Sequence, residues 1–128
     1  MSAAAEHRIE VLVGPEVIAG STRLKAGTAQ KLVLNMFSTI VMVHLGKTYG
    51  NLMVDVKPTN AKLRERALRM IQTVTGAERT TAAEALAANS HSVKQAIVAI
   101  RLNLGPEEAA AQITENGGRL RDALGENA

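Results

Sequence analysis

Residues 31–45, KLVLNMFSTIVMVHL, constrain the fold of this chain more than any other stretch. Leu32, Val33, Leu34, Met36, Phe37, Ile40, Val41, Met42 and Val43 spread around most of a helical circumference instead of forming one stripe. A helix of that kind sits between other layers. Asn35, Ser38, Thr39 and His44 interrupt the run, which falls short of the roughly 20 consecutive apolar residues a bilayer span needs. The pattern predicts a helix from about residue 22 to 45, closed at Gly46 with Lys47 beyond it. No other stretch of the chain is large enough to cover it, so it calls for a sheet on one side and a subunit partner on the other.

Composition bounds the rest. A chain of 128 residues fits one domain, or part of one with a small appendix. It is 46% hydrophobic, yet Phe37 and Tyr49 are its only aromatic residues. The core must therefore be built from Leu, Ile, Val, Ala and Met. A net charge of +3 is mildly basic, and acids and bases alternate outside residues 21–31. With almost no aromatic stacking platforms, a nucleic-acid partner is not expected. The absence of cysteine excludes disulfides, thiolate metal sites and a cysteine nucleophile. His7, His44 and His91 lack ligand-like spacing, so no metal is expected. MSAAAEHR carries no apolar signal core. A cytoplasmic protein without membrane attachment is the expectation.

Residues 8–13, RIEVLV, read as a short strand ending at Gly14-Pro15. One strand cannot satisfy its own backbone groups, so it needs a sheet elsewhere. Residues 49–58 read as a connector. Thr59 or Asn60 then caps a helix to about Thr75, with Leu63, Ala67, Ile71 and Val74 on one face and Gly76 as the stop. Thr81-Ala-Ala-Glu84 has the form of a capping box opening a short helix to about Ala88. Ser92-Val-Lys-Gln95 has the same form, with Val93, Ala96, Ile97 and Ile100 as the stripe of a helix to about Leu102. Gly105-Pro106-Glu107-Glu108 starts another, ended by Asn116-Gly117-Gly118, and residues 119–124 add a final turn or two. The chain is thus expected to be mainly α.

The chemistry concentrates in GPEVIAGSTRLKAGTAQK, residues 14–31. The first N–H groups of a helix lack internal partners, and the peptide dipoles leave partial positive charge there. Ser21 or Thr22 as N-cap satisfies one donor, but Arg23 and Lys25 in the first turn add repulsion. A bound phosphate removes the conflict by accepting from the free N–H groups and hydroxyls. The plain alternative is a Ser/Thr cap with solvated cations, and with Glu16 paired to Arg23.

Residues 14–67, from GPEVIAGSTRLKAGTAQKLVLNMF through YGNLMVDVKPTNAKLRERA, closely resemble the signature region of bacterial N-acetylmuramic acid 6-phosphate etherases. These belong to the sugar isomerase (SIS) superfamily and are related to the glucokinase regulatory protein. The likeness continues more loosely through TGAERTTAAEALAANSHSVKQAIVAI to the C-terminus. It implies that residues 1–58 are the C-terminal part of an α/β SIS domain: one short strand, the signature loop, a long buried helix and the connector. Residues 59–128 would be a helical bundle resembling a ubiquitin-associated unit. The chain would be the C-terminal portion of an etherase, with the main acid/base residues upstream and the isolated chain inactive.

The resemblance further implies a carbon–oxygen lyase. It would cleave the lactyl ether of N-acetylmuramic acid 6-phosphate to N-acetylglucosamine 6-phosphate and D-lactate, by elimination then hydration and without a cofactor. Glu16 is then a candidate acid/base or sugar-hydroxyl ligand, and Ser21, Thr22, Arg23 and Lys25 are candidate substrate ligands. A homodimer through the long helix is implied as well. The alternative is a non-catalytic sugar-phosphate-binding regulatory module of the same superfamily.

Overall fold

A computed structural model describes residues 4–126. It is mainly helical, with helices α1 (Lys25–His44), α2 (Ala61–Thr75), α3 (Arg79–Ala88), α4 (Val93–Leu102), α5 (Pro106–Glu115) and α6 (Leu120–Ala123). The chain divides into two compact units, one ending at Val41 and one starting at Met42.

In the first unit residues 8–13 form no ladder hydrogen bonds, and the described residues contain no strand beyond an isolated Tyr49–Leu52 bridge. The expected strand at 8–13 is therefore not formed here, because no described segment offers it an edge to pair with. Ile9 is 69% exposed and Leu12 98% exposed. The expected burial of the long helix is also absent, since no residue of α1 is buried. Leu34, Met36, Phe37 and Ile40 all stand more than half exposed.

The second unit holds the core. α4 lies at its centre, in contact with α2, α3, α5 and α6. Val93, Ala96, Ile97 and Val98 of α4 pack with Ala67, Met70 and Ile71 of α2, Ala82 and Leu86 of α3, and Ala109 and Ile113 of α5. The many alanines let helix backbones approach closely, so few large side chains are needed to exclude water. Residues 49–58 join this unit through Val54, which is 1% exposed, with Tyr49, Leu52 and Val56 packed against the core. Tyr49 and Leu52 exchange both backbone hydrogen bonds in a tight turn, at 2.9 and 3.0 Å.

The helix ends follow local chemistry in most cases. Asn60 Oδ1 accepts from Leu63 N at 2.9 Å, and the left-handed Gly76 returns its N–H to Gln72 O. Ser92 Oγ accepts from Gln95 N at 3.4 Å. At α5, Pro106 sits at the first position and Glu108 Oε2 accepts from Gly105 N at 2.9 Å.

α3 departs from the expected capping box at Thr81. It begins three residues earlier, with Glu78 in the N-cap position, leaving Thr81 inside the helix. A tertiary ion pair lies at the observed start. Arg79 donates to both oxygens of Glu65 on α2, at 3.0 and 2.6 Å, and Arg69 donates to the same carboxylate at 3.1 Å. These cations hold the Glu65 carboxyl down at a pKa of about 2.

One charge enters the core. Lys94 is buried, donates to Gly118 O at 2.8 Å and lies 3.6 Å from Asp55, which also pairs with Lys47. Hydrogen bonding from Lys47, reinforced by the charges of both lysines against the opposing effect of burial, lowers the Asp55 pKa. A buried ammonium is tolerated when it has such partners.

Candidate functional site

The site is built at the entrance to α1, within the first unit. Backbone turns bring the chain there: Ser21 N donates to Ile18 O at 3.1 Å, and residues 23–24 form a further turn before Lys25. Neither Ser21 nor Thr22 is the N-cap. The helix starts at Lys25, and Thr28 N closes its first intrahelical bond on Leu24 O at 3.1 Å.

Two of the N-terminal donors are satisfied by Glu16. Its Oε2 accepts from Lys25 N at 2.9 Å and its Oε1 from Ala26 N at 3.0 Å. Lys25 Nζ turns back to donate to Pro15 O at 2.9 Å. The first turn of α1 has no acid of its own, so the carboxylate facing its dipole comes from nine and ten residues upstream. Glu16 therefore meets backbone N–H groups, not the Arg23 side chain that a simple ion pair would use.

Beside this contact lies a polar hollow of about 530 Å³, lined by Thr22, Arg23, Gly27, Thr28, Gln30 and Lys31. Of the residues singled out from the sequence, it gathers Thr22 and Arg23. Ser21 does not line it. Lys25 lines a separate apolar groove of about 740 Å³, with Val11, Val13, Leu24, Leu32, Val33 and Met36 among its walls. Gln30 is an addition that sequence reasoning missed, and Lys31, which it took for a solvated cation, joins the lining. Helical spacing was the available signal, because residues 27, 30 and 31 fall on neighbouring turns of one face of α1. Two cations, the Thr22 hydroxyl and an amide can together hold an oxyanion such as a phosphate, while the Thr28 hydroxyl is spent on Leu24 O at 2.7 Å. Among the described residues no group of three His, Asp or Glu side chains is arranged to hold a metal ion, and no helix is long and apolar enough to cross a membrane.

Residues 50–115 match the family described as the C-terminal lid domain of glucokinase regulatory protein, and the chain belongs to that family. More similar in sequence are proteins named N-acetylmuramic acid 6-phosphate etherase. The one from Rubrobacter xylanophilus is 60% identical over 121 residues, covering 94% of this chain and 40% of that protein. The Streptomyces coelicolor protein is 55% identical over 124 residues, covering 97% of this chain and 40% of its own length. That from Synechococcus elongatus is 55% identical over 116 residues, covering 91% and 38%. The chain thus spans about 40% of the length of the curated relatives it matches, aligning with their C-terminal portion.

Proposed function

We propose that this chain forms part of a carbon–oxygen lyase acting on N-acetylmuramic acid 6-phosphate. The reaction releases D-lactate and N-acetylglucosamine 6-phosphate by elimination and hydration, in the recycling of cell-wall sugar. The observation that carries the reading is the 60% identity, over 94% of the chain, with a protein named for that etherase activity.

The chain's own contribution is the loop and helix face at residues 14–31. Arg23 offers a planar fork of donors to an oxyanion, Lys31 a second positive charge, and Thr22 a hydroxyl donor, all around one hollow. Ser21 and Lys25, which do not line it, stay in the reading as further candidate ligands from the same segment. Lys25 spends one of its three ammonium donors on Pro15 O and keeps two for a ligand. The substrate's phosphate or lactyl carboxylate is the anion this arrangement suits. No cofactor enters the reading, because the aldehyde of the opened sugar acidifies the neighbouring C–H by itself. A cytoplasmic location belongs to it as well, since a phosphorylated sugar does not cross a bilayer unaided.

The architecture we propose assigns residues 1–58 to the end of an SIS domain and residues 59–128 to a bundle of ubiquitin-associated type. Exposed Ile9, Val11 and Leu12, together with an α1 that buries no residue, support this. Apolar surface on that scale is normally covered in a working protein. Residues 8–13 would pair with further strands of the SIS sheet, and α1 would face both that sheet and a second subunit in a homodimer.

Titration calorimetry with N-acetylglucosamine 6-phosphate tests the binding part. Arg23→Ala is expected to weaken binding by about tenfold or more, the effect of losing a charge-assisted contact. Equal affinity in wild type and Arg23→Ala, or no binding to either, would sink the assignment. Release of D-lactate by the full-length protein containing this chain tests the chemistry. Binding without release would favour the regulatory-module alternative.

A further inference from the structure

We infer that Glu16 is the built-in counter-anion of α1. It acts as a positioning residue that pins the 16–24 loop to the helix start and closes the N–H groups of Lys25 and Ala26 to phosphate. The pin itself does not depend on the etherase reading, although its bearing on phosphate rests on that reading's sugar-phosphate hollow.

A helix that opens with Arg23 and Lys25 nearby and no acid in its first turn carries uncompensated positive charge at its N-terminus. Taken alone, that pattern asks for an external anion. Glu16 supplies an internal one, using one oxygen for Lys25 N at 2.9 Å and the other for Ala26 N at 3.0 Å. Lys25 Nζ on Pro15 O at 2.9 Å is a third bond closing the same loop. Three hydrogen bonds thus fix a turn-rich segment that has few apolar contacts, and they set where Thr22 and Arg23 stand relative to Lys31.

Two consequences follow. A phosphate at the hollow is held by the Thr22, Arg23 and Lys31 side chains, because the two helix-end donors nearest the loop are already taken. The loop carrying Thr22 and Arg23 also keeps its place at the helix start only while both Glu16 oxygens stay on these amides.

Amide hydrogen exchange and ¹H–¹⁵N spectra of the full chain, with inorganic phosphate as the probe, test the inference. Wild type is compared with Glu16→Ala and Glu16→Gln, and the bundle resonances of residues 42–126 serve as the control for folding. In wild type the Lys25 and Ala26 amides are expected to be protected, which first-turn amides ordinarily are not. Glu16→Ala should lose that protection by on the order of tenfold or more at both amides. Glu16→Gln keeps one acceptor oxygen and should lose it at one amide only.

Phosphate should move the Lys25 and Ala26 amide signals in Glu16→Ala but not in wild type. Equal exchange at these amides in wild type and Glu16→Ala would overturn the pin. Phosphate shifts at these amides in wild type, or in neither protein, would overturn the closure. A failed Arg23→Ala calorimetry result leaves the exchange prediction standing, so this inference and the sugar-phosphate reading can fail separately.

Discussion

Gly46 and Gly76 offer a matched pair of substitutions that measure a single packing contact. Both follow a helix in the left-handed region, at φ +65° and +72°, where an L side chain costs about 1 kcal/mol or somewhat more. Their surroundings differ. A Cβ on Gly76 meets nothing within 4 Å, whereas one on Gly46 would lie 2.6 Å from Arg119 Cγ and 3.2 Å from Arg119 Cα. The Cγ can swing away, but the Cα belongs to the backbone leading into α6, so Gly46→Ala must also push that segment.

Overpacking of this kind costs about 1–3 kcal/mol beyond the backbone term. Gly76→Ala should therefore cost about 1 kcal/mol and Gly46→Ala about 2–4 kcal/mol. Urea unfolding followed by the fluorescence of Tyr49, the only tyrosine and a residue packed on the bundle core, reports this unit directly. With m near 1 kcal/mol/M for so small a unit, the midpoint should fall by about 1 M for Gly76→Ala and by two to four times that for Gly46→Ala. On an Arg119→Ala background the 2.6 Å contact disappears and part of the excess cost should be recovered, as a coupling energy. Equal midpoint shifts for the two glycines, or no recovery on that background, would refute the contact.

Three further outcomes are expected. Ile97→Ala, at a fully buried position on the central helix, should destabilise the bundle by about 2–5 kcal/mol in the same urea assay; a loss under 1 kcal/mol would mean α4 is not the hub. Glu65 titrates near 2 when folded and 4.5 when free. Its contribution is thus present above pH 4.5 and fades as pH falls from about 4.5 towards 2, so Glu65→Gln should flatten the acid limb of a stability–pH curve in that window; the effect is small because the pair is exposed. His91 sits at φ +60° without being glycine. His91→Gly should raise stability by about 0.5–1 kcal/mol, and a loss would show that the imidazole makes a contact that matters.

What was legible from the sequence was local. Asn60, Gly76, Ser92 and Pro106 mark the helix ends they were expected to mark, because a cap acts within three or four residues of itself. Ala67 and Ile71, and likewise Val93, Ala96 and Ile97, are buried as their spacing predicted. The misses came from partners distant in sequence. Thr81-Ala-Ala-Glu84 satisfies the capping-box pattern, but the helix starts at Arg79, whose partner Glu65 lies fourteen residues away. Lys94 lies outside the apolar stripe expected of its helix, yet it is buried against Gly118 O and Asp55, neither of which any periodicity connects to it.

The entrance to α1 combines both lessons. The electrostatic conflict among Arg23, Lys25 and the helix dipole could be read from residue types alone, and it correctly required a negative charge. Which charge meets it could not be read. Glu16 lies nine residues before the first helical N–H, across a loop whose turns at 18–21 and 23–24 set the reach. No fixed sequence spacing governs a cap delivered through such a loop, so a phosphate and a glutamate satisfied the sequence-level requirement equally well. The geometry puts the Glu16 carboxylate on the backbone donors and leaves Thr22, Arg23 and Lys31 around a separate side-chain hollow, which is where the proposed sugar-phosphate reading would place its anion.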